Sequence, residues 1–367
     1  MGQIRRIAVN TGGGDAPGLN AVIRSIVLSS LRRGWEVLGI RKGYEGLFDT
    51  TKIMQLDRDS VRGITHLGGT ILGTTNRNSP FEYPVQLPGE ELKLVDRSDE
   101  VVENFHRLKI DALIAIGGDG SMDIARRLGE KGLPIVGVPK TIDNDLSGTV
   151  VTFGFDTAVT VATEAIDRLH STAEAHERVF VVEVMGRYAG WIALHSGVSS
   201  TADVVLIPEI PYQIESVCDK IMDREARGRR FAIVVVAEGA RPLDGDLVAK
   251  DQGAGREVLL GGIAERVARD IQERTGKETR TVVLGHLQRG GGPTTFDRLL
   301  ALRFGAAAVR MVAEGTTNVM VALDPPTVLA VPLAVATERM KTVPLDCDTM
   351  LTARDLGICF GDGDWDG

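Results

Sequence analysis

The sequence predicts an α/β protein built from mostly parallel sheets with helices on both faces. Short apolar runs alternate with helical patterns along the chain, and the conspicuous polar residues follow directly after the apolar runs. Alternation of strands and helices is typical of parallel sheets, because the helical crossovers cover both faces. Ligands of such sheets bind beyond the carboxyl ends of the strands, so the polar residues there mark a candidate site.

The elements follow from apolar runs of strand length and from apolar residues at helical spacing. The predicted strands cover residues 4–9, 35–40, 112–116, 135–138, 179–184, 204–207, 231–237 and 281–284. The predicted helices cover 19–31, 101–108, a segment after 121, 157–173, 214–227, 263–274 and 299–314. Residues 68–78 and 80–88 are predicted to be irregular, 242–255 to form a mobile surface loop, and 361–367 to be a loose tail.

Composition narrows the class of protein. A chain of 367 residues can bury a large core, and two domains are the natural expectation. The net charge of −8 argues against nucleic acid as the main partner. A small phosphorylated substrate remains possible, because it needs only a local group of basic side chains.

The cysteines and the apolar runs indicate a cytoplasmic protein. Cys218, Cys347 and Cys359 are far apart and form no C-x-x-C pair, which disfavours a disulfide framework or zinc site. The first residues lack the apolar core of a signal peptide. No apolar run approaches the roughly 20 residues that span a membrane, so we expect no membrane partner.

The first glycine-rich turn, Gly12 to Asp15, follows a strand and precedes a helix. This arrangement points backbone N–H groups at an anion. The same pattern is often only a turn, and the sequence contains no G-x-x-x-x-G-K-[ST], so a P-loop is not supported.

The second glycine-rich turn, Gly117 to Ser121, carries a carboxylate. Its small residues would let the backbone approach a polyphosphate, and Asp119 could hold Mg²⁺ together with phosphate oxygens. The alternative is that Asp119 is only a turn or N-cap residue of the following helix.

The segment from Lys140 to Asp145 places two carboxylates, Asp143 and Asp145, two residues apart. If the segment is extended, both side chains point to the same side. One could then accept a proton from an attacking hydroxyl while the other orients it. The alternative is a cluster of Asx turns after a strand.

Basic residues near predicted strand ends could together bind a sugar phosphate; they are Arg178, Arg187, Arg280, His286 and Arg289. Guanidinium groups bind phosphate through two parallel hydrogen bonds. Taken singly, each is more typical of a solvated surface residue. Glu238 follows an apolar strand and could accept a hydrogen bond from a sugar hydroxyl, or it could be an ordinary strand-end charge.

Five motifs together make the chain resemble the 6-phosphofructokinase family over nearly its whole length. They are GGGDAPGLNAVIR at 12–24, GGDGS at 117–121, PKTIDND at 139–145, VVEVMGRYAGWIAL at 181–194 and GHLQRGG at 285–291. The resemblance implies the phosphofructokinase fold, with two similar three-layer domains. It also implies transfer of a phosphoryl group to the C1 hydroxyl of fructose 6-phosphate in glycolysis.

The resemblance further implies roles for individual residues. Asp143 matches the general base and Asp119 the Mg²⁺ carboxylate, with Asp145 placed to assist near the metal. The phosphoryl-donor site would comprise Gly13, Tyr44, Arg77, Gly118, Asp119, Gly120 and Ser121. The sugar site would comprise Thr141, Ile142, Asp143, Met185, Gly186, Arg187, Glu238, His286, Leu287, Gln288 and Arg289, with Thr141, Asp145 and Arg187 also assisting the reaction. Arg178 and Arg280 match arginines that reach the substrate of a neighbouring subunit, which implies a homodimer or homotetramer.

Two residues of the donor site are typical of enzymes that use different phosphoryl donors. Lys140 is typical of pyrophosphate-dependent members of the family, whereas Gly120 is typical of ATP-dependent members, since an Asp there would crowd the nucleotide. Steric exclusion is the stronger constraint, so we expect ATP as the donor. Asn76 stands where the family has an arginine, and Arg77 follows it; Ile124 replaces a small residue near the nucleotide. Leu28 and His170 replace basic residues of the family's effector site, which makes its allosteric control doubtful.

The sequence therefore predicts an ATP-dependent, Mg²⁺-requiring 6-phosphofructokinase. The expected donor domain comprises 1–154 and 288–338, and the expected fructose 6-phosphate domain comprises 155–287 and 339–367. A pyrophosphate-dependent phosphotransferase is the first alternative. A non-catalytic sugar-phosphate sensor is the second, although such a sensor would need neither a base nor a metal carboxylate.

Overall fold

The computed structural model describes residues 4–86, 92–245, 249–251 and 259–363. The mobile loop predicted at 242–255 and the loose tail predicted at 361–367 lie partly outside these residues. None of the described helices combines the length and the apolarity that a membrane crossing requires.

Within the described residues, the strands in chain order are β1 (Arg6–Thr11), β2 (Glu36–Ile40), β3 (Ile53–Leu56), β4 (Tyr83–Val85), β5 (Lys93–Val95), β6 (Ala112–Gly117), β7 (Ile135–Pro139), β8 (Val179–Val184), β9 (Val204–Leu206), β10 (Ala232–Ala237), β11 (Ala249–Asp251), β12 (Leu259–Leu260), β13 (Thr279–Val283), β14 (Val319–Asp324) and β15 (Thr327–Pro332). The helices are α1 (Leu19–Leu31), α2 (Glu45–Phe48), α3 (Ser98–Arg107), α4 (Asp119–Glu130), α5 (Phe155–His176), α6 (Trp191–Ser199), α7 (Ile214–Ala226), α8 (Ile263–Thr275), α9 (Thr295–Glu314), α10 (Leu333–Ala336) and α11 (Asp348–Asp355).

The chain divides into two compact units. Unit 1 comprises 1–142, 146–156 and 289–340, and unit 2 comprises 143–145, 157–288 and 341–367. The chain therefore passes between the units more than once.

Unit 1 is built on a sheet whose described strands follow the order β15-β14-β7-β6-β1-β2-β3. The interior strands pair in parallel, whereas β3 and β15 pair antiparallel to their neighbours at the two edges. Side chains alternate between the faces: Val9 and Ile114 pack with α1 and α9 on one face. Ala8 and Leu113 pack with α3 and α4 on the other face. Unit 1 thus has three layers.

Unit 2 contains a smaller sheet of parallel strands in the order β13-β8-β10-β9. Val181 and Val234 belong to a buried cluster with α7 and α8 on one face, and α6 lies against β9 and β10. The predicted α/β class with mostly parallel sheets is confirmed.

The prediction of individual elements was wrong for one segment and missed several others, among them β3, α2 and α11. Residues 80–88 were expected to be irregular, but they include β4, which pairs antiparallel with β5. Helix α6 and the β14–β15 hairpin were not predicted. Helix α6 begins inside the motif at 181–194, and the hairpin lies beyond the motif at 285–291.

Candidate active site

Three polar turns of unit 1 meet at one edge of its sheet. They follow β1, β6 and β7, which are neighbours in the sheet and run in parallel. The amide of Gly12 donates to the carbonyl oxygen of Ile116 at 2.9 Å, and the amide of Lys140 donates to that of Gly117 at 2.9 Å. Sequentially distant motifs therefore share one site, as the strand-end rule predicts.

Ser121 fills the space between the first two turns. A Cβ at Gly117 would lie 2.2 Å from the Cβ of Ser121, and one at Gly12 would lie 2.7 Å from its Oγ. Such distances are too short for carbon or oxygen contacts, so both positions require glycine. Close packing around Ser121 therefore explains the glycines at positions 12 and 117.

Two cationic side chains contact the first turn. The ammonium of Lys140, a buried residue, donates to the carbonyl oxygen of Gly14. The Nη1 of Arg289 donates to that of Asp15 at 3.0 Å. Arg289 was expected to bind the sugar phosphate, and the structure places its guanidinium on this turn of unit 1. The positive charges make the turn suitable for an anion.

The loop at 68–78 is fastened to the same turn. The amide of Gly13 donates to the carbonyl oxygen of Thr75 at 3.0 Å, and the hydroxyl of Thr74 donates to that of Gly13 at 2.6 Å. Arg77, two residues beyond Thr75, is exposed. The structure therefore brings the Arg77 loop to the predicted donor residues.

Asp119 is the first residue of α4, and Gly118 is the residue that caps the helix. Asp119 thus lies in the first turn of the helix, one residue after the N-cap position. Asp119 and Gly120 are both exposed, and a Cβ at Gly120 would meet nothing within 4 Å. The protein's own packing leaves room for a side chain at position 120.

A ready-made metal cage is absent from the described part of the chain, where no three His, Cys, Asp or Glu side chains group together. Mg²⁺ often binds through one or two carboxylates together with substrate phosphates and water. An exposed carboxylate in the first turn of a helix, beside a turn suited to anions, fits that mode of binding. Asp119 could hold Mg²⁺ in this way.

Tyr44 does not lie with these residues at the surface. It is 4% exposed and packs in the core cluster that includes Leu47 and Phe105. Burial raises the pKa of its hydroxyl. The structure thus places this predicted donor residue inside unit 1.

The segment after β7 bends sharply. Asn144 has φ 52°, in the left-handed region that asparagine tolerates better than most residues. The expectation that an extended segment carries Asp143 and Asp145 on the same side is wrong, because a turn separates them. Thr141 and Ile142 belong to unit 1, whereas Asp143 to Asp145 belong to unit 2. Thr141 is buried and its carbonyl oxygen accepts from the Thr152 hydroxyl at 2.7 Å.

Unit 2 has its own group of polar residues at the carboxyl ends of β8 and β10. The amide of Gly239 donates to the carbonyl oxygen of Gly186 at 3.1 Å. A Cβ at Gly239 would lie 1.9 Å from the carbonyl oxygen of Arg187, so only glycine fits there. This close approach places Arg187 and Glu238, both half-buried, on adjacent turns.

The turn after β13 is held to β8 by Gln288. The side-chain oxygen of Gln288 accepts from the amide of Met185 at 3.3 Å, and its nitrogen donates to the carbonyl oxygen of Gly285 at 3.1 Å. Gln288 is fully buried, whereas His286 and Leu287 are exposed. Gln288 therefore supports the turn, and the exposed imidazole of His286 is the polar group beside it that could bind a ligand.

Arg178 and Arg280 lie at the opposite end of the same sheet. They stand at the amino ends of β8 and β13, about 20 Å along the strand from Arg187. Both form ion pairs with Glu278, at 2.9 Å for Arg178. Hydrogen bonding from Arg178 lowers the pKa of Glu278. The grouping of all five basic residues into one clamp within a chain is wrong, because "near a strand end" does not distinguish the two ends.

Residues 6–312 match the family model described as Phosphofructokinase. The chain belongs to the phosphofructokinase family.

Relatives in the phosphofructokinase family differ in the donor that their names give. A Chloroflexus aurantiacus protein named ATP-dependent 6-phosphofructokinase is 51% identical over 98% of this chain and 98% of its own. A Streptomyces coelicolor protein named pyrophosphate–fructose 6-phosphate 1-phosphotransferase is 49% identical over 97% of this chain and 100% of its own. The structure of Pichia pastoris phosphofructokinase aligns with a TM-score of 0.78 at 31% identity, covering 92% of this chain and 36% of that longer one. The resemblance and the phosphofructokinase fold are confirmed.

Two residues of this phosphofructokinase were not identified from the sequence. Glu183 lies within the otherwise apolar β8, and its carboxylate accepts from the amides of Gly262 and Ala264 at the start of α8. A lone carboxylate in an apolar strand was a usable signal. Lys341 donates to the side chain of Asn144, 197 residues earlier in the chain, and no local pattern marks such a contact.

Proposed function

We propose that this protein is an ATP-dependent 6-phosphofructokinase. It transfers the γ-phosphoryl group of ATP to the C1 hydroxyl of fructose 6-phosphate and yields fructose 1,6-bisphosphate and ADP, a reaction of glycolysis. The observation that carries the proposal is 51% identity, over 98% of both chains, to a protein of that name.

Unit 1 supplies the residues for the donor. The turn at Gly118–Ser121 is proposed to offer backbone N–H groups to the phosphates, and Lys140 and Arg77 add positive charge. The amides of Gly12 and Gly13 already donate to carbonyl oxygens, so the first turn contributes through its later residues. Asp119 would hold Mg²⁺, which neutralises charge that develops on the phosphoryl oxygens when it is bound. The exposure of Asp119 and the convergence of these turns support this assignment.

The acceptor side is assigned to Asp143 and to the turns of unit 2. Asp143 accepts the proton of the C1 hydroxyl as that oxygen attacks, and Asp145 and Thr141 help to orient it. Arg187 stabilises negative charge near the reacting phosphoryl group. Glu238 accepts from a sugar hydroxyl, while His286 donates to the sugar phosphate. Catalysis in this scheme depends mostly on positioning and charge.

The choice of ATP depends on Gly120. Packing within the protein does not require a glycine at position 120, because a Cβ there would meet nothing within 4 Å. A nucleotide that occupies this space would explain the glycine. Pyrophosphate is the second candidate donor, and the buried Lys140 beside the first glycine turn favours it. A lysine can coexist with ATP phosphates, whereas a side chain in the nucleotide's space cannot.

The active enzyme is proposed to be a homo-oligomer. Arg178 and Arg280 lie at the end of the unit 2 sheet opposite to its acceptor residues, so their assignment to a sugar phosphate implies a second subunit. Their exposed or half-exposed guanidinium groups are available for such a role.

A donor assay tests the proposal. The purified protein is incubated with fructose 6-phosphate and Mg²⁺, and ATP, pyrophosphate or ADP is supplied in separate reactions. We expect fructose 1,6-bisphosphate with ATP at a rate at least about tenfold above that with the other donors. If only pyrophosphate supported turnover, pyrophosphate and not ATP would be the donor. The absence of product with every donor would support a sugar-phosphate sensor instead.

A further inference from the structure

We propose that Lys341 is a positioning residue that sets the orientation of Asp143 and Asp145 by holding Asn144 between them. The proposal rests on the proposed role of Asp143 as the proton acceptor. Lys341 itself needs no contact with the substrate.

Lys341 contacts the segment through both its side chain and its backbone. Its Nζ donates to Oδ1 of Asn144 at 2.9 Å. Its backbone amide donates to the carbonyl oxygen of Asp145 at 2.8 Å. One residue therefore fixes two consecutive members of the segment, and all three belong to unit 2.

Lys341 is itself held by neighbouring residues of unit 2. Its carbonyl oxygen accepts from Nε1 of Trp191 at 3.0 Å, and its Nζ lies 5.6 Å from the centre of the Trp191 ring. Two residues later, the amide of Val343 donates to the carboxylate of Glu209 at 2.8 Å, and that carboxylate also accepts from the amide of Gly190. The support thus extends from Asn144 to the start of α6.

The environment of Lys341 differs from that of a solvated surface lysine. Partial burial lowers its pKa to about 8, against the opposing attraction of the Asp145 carboxylate. Burial, together with the nearby Lys341 charge, also lowers the pKa of His195. Withdrawing an ammonium from water is unfavourable unless specific contacts compensate, so the contacts to Asn144 and Trp191 are integral to this arrangement.

The backbone conformation of Asn144 determines the orientation of the residues on either side of it. Its φ of 52° is uncommon for a residue with a side chain, and its side chain is buried. Rotation about this residue would redirect the carboxylates on either side of it. Because catalysis is sensitive to misplacement of about 1 Å, loss of the Lys341 contact should affect turnover more than binding.

The test compares Lys341→Met, which removes the ammonium, with Lys341→Arg, which retains a cationic donor. With fructose 6-phosphate and ATP, we expect Lys341→Met to lower kcat at least about tenfold while both KM values stay within about twofold. Lys341→Arg should recover most of the lost kcat. A kcat within twofold of wild type in Lys341→Met, or an equal loss in both variants, would overturn the proposal.

A second variant makes the test independent of how well Lys341→Met folds. Asn144→Gly tolerates the left-handed backbone and removes only the amide that Lys341 contacts. It should reproduce the loss of kcat, and the double variant should lose no more than either single variant, since both remove one interaction. Additive losses would contradict the proposed coupling.

Two controls separate this inference from the proposed function. Lys131→Met removes an exposed lysine of unit 1, ion-paired with Asp99 at 2.6 Å, and should leave kcat unchanged. Wild-type protein that forms no fructose 1,6-bisphosphate refutes the proposed function. Active wild type with fully active Lys341 and Asn144 variants refutes only the positioning role.

Discussion

The ammonium of Lys140 donates a hydrogen bond to the carbonyl oxygen of Gly14, and a Cβ at Gly13 would lie 3.4 Å from the same nitrogen. Lys140 follows β7 and Gly14 follows β1, so the contact spans the intervening strand β6. A buried ammonium on a turn rich in backbone N–H groups concentrates positive charge where the donor phosphates are proposed to bind.

Replacing Lys140 with Met should weaken use of the donor. A charge-assisted hydrogen bond contributes about 1.5–3 kcal/mol, so kcat/KM for ATP should fall about 10- to 150-fold. Steady-state kinetics at saturating fructose 6-phosphate measure the effect. The KM for the sugar should change little, and a kcat/KM within twofold of wild type would show that Lys140 only supports the Gly14 turn.

Replacing Gly120 with Asp should shift the donor preference away from ATP. A Cβ at this position meets nothing within 4 Å, and acidic residues in the first turn of a helix are stabilising, so the variant should fold. We expect the KM for ATP to rise at least about tenfold through repulsion and crowding, with the ratio of pyrophosphate to ATP turnover increasing.

Gly120→Asn is the matched control for that experiment, since it adds nearly the same volume without charge. If both variants lose ATP use equally, size excludes the nucleotide. If only Gly120→Asp does so, charge excludes it. Unchanged ATP kinetics in both variants would remove Gly120 from the donor site.

The sheet and its strand-end turns could be predicted from the sequence because they depend on local patterns. Helix α1 and strand β8 have the predicted bounds, since apolar spacing and glycine turns define both ends. The convergence of Gly12, Gly117 and Lys140 also followed, because parallel neighbouring strands end at one edge.

Other features depend on tertiary contacts that no local pattern encodes. The turn at Asn144 is stabilised by Lys341, which lies near the other end of the sequence. By contrast, the opposite placement of Arg178 and Arg280 was readable from the sequence, because each precedes its predicted strand whereas Arg187 follows one. Tyr44 followed a strand like the site residues, yet the packing of unit 1 encloses it.

Replacing Asp143 with Ser should remove most turnover while leaving the binding of fructose 6-phosphate largely intact. Proton transfer by a positioned carboxylate accounts for about 10²- to 10⁴-fold in rate, so kcat should fall by that factor. Equilibrium binding of fructose 6-phosphate should stay within about threefold of wild type. A near-normal kcat would exclude Asp143 as the proton acceptor.

Replacing Glu45 with Gln should destabilise the protein at neutral pH and not in acid. Although burial opposes it, hydrogen bonds from Lys52, Tyr83 and Asn78 lower the pKa of Glu45 from 4.5. The stabilisation is therefore present above the unfolded pKa and is lost as the pH falls through the lower folded pKa. At pH 7 the free energy of unfolding should decrease by about 1–3 kcal/mol, as expected for a buried, hydrogen-bonded charge.

Urea unfolding at pH 7 and at pH 4 or below measures this difference. The gap between wild type and Glu45→Gln should narrow as the pH falls through the folded pKa. A gap that is independent of pH would mean that the loss comes from packing and not from the carboxylate charge. Because Asn78 adjoins Arg77, the variant should also raise the KM for ATP modestly.

Mixing two variants with different defects should restore activity if Arg280 serves a neighbouring subunit. Arg280 stands at the amino end of β13, whereas Arg187 lies at the opposite end of the adjacent strand β8. Arg280→Gln should raise the KM for fructose 6-phosphate at least about tenfold, which corresponds to loss of one charged contact to phosphate. Asp143→Ser should lack turnover.

A hybrid of the two variants contains one site with an intact Asp143 from one subunit and an intact Arg280 from the other. After the variants are denatured and refolded together, we expect up to about a quarter of wild-type activity at low fructose 6-phosphate. A mixture no more active than the sum of its parts would place Arg280 outside the neighbouring site.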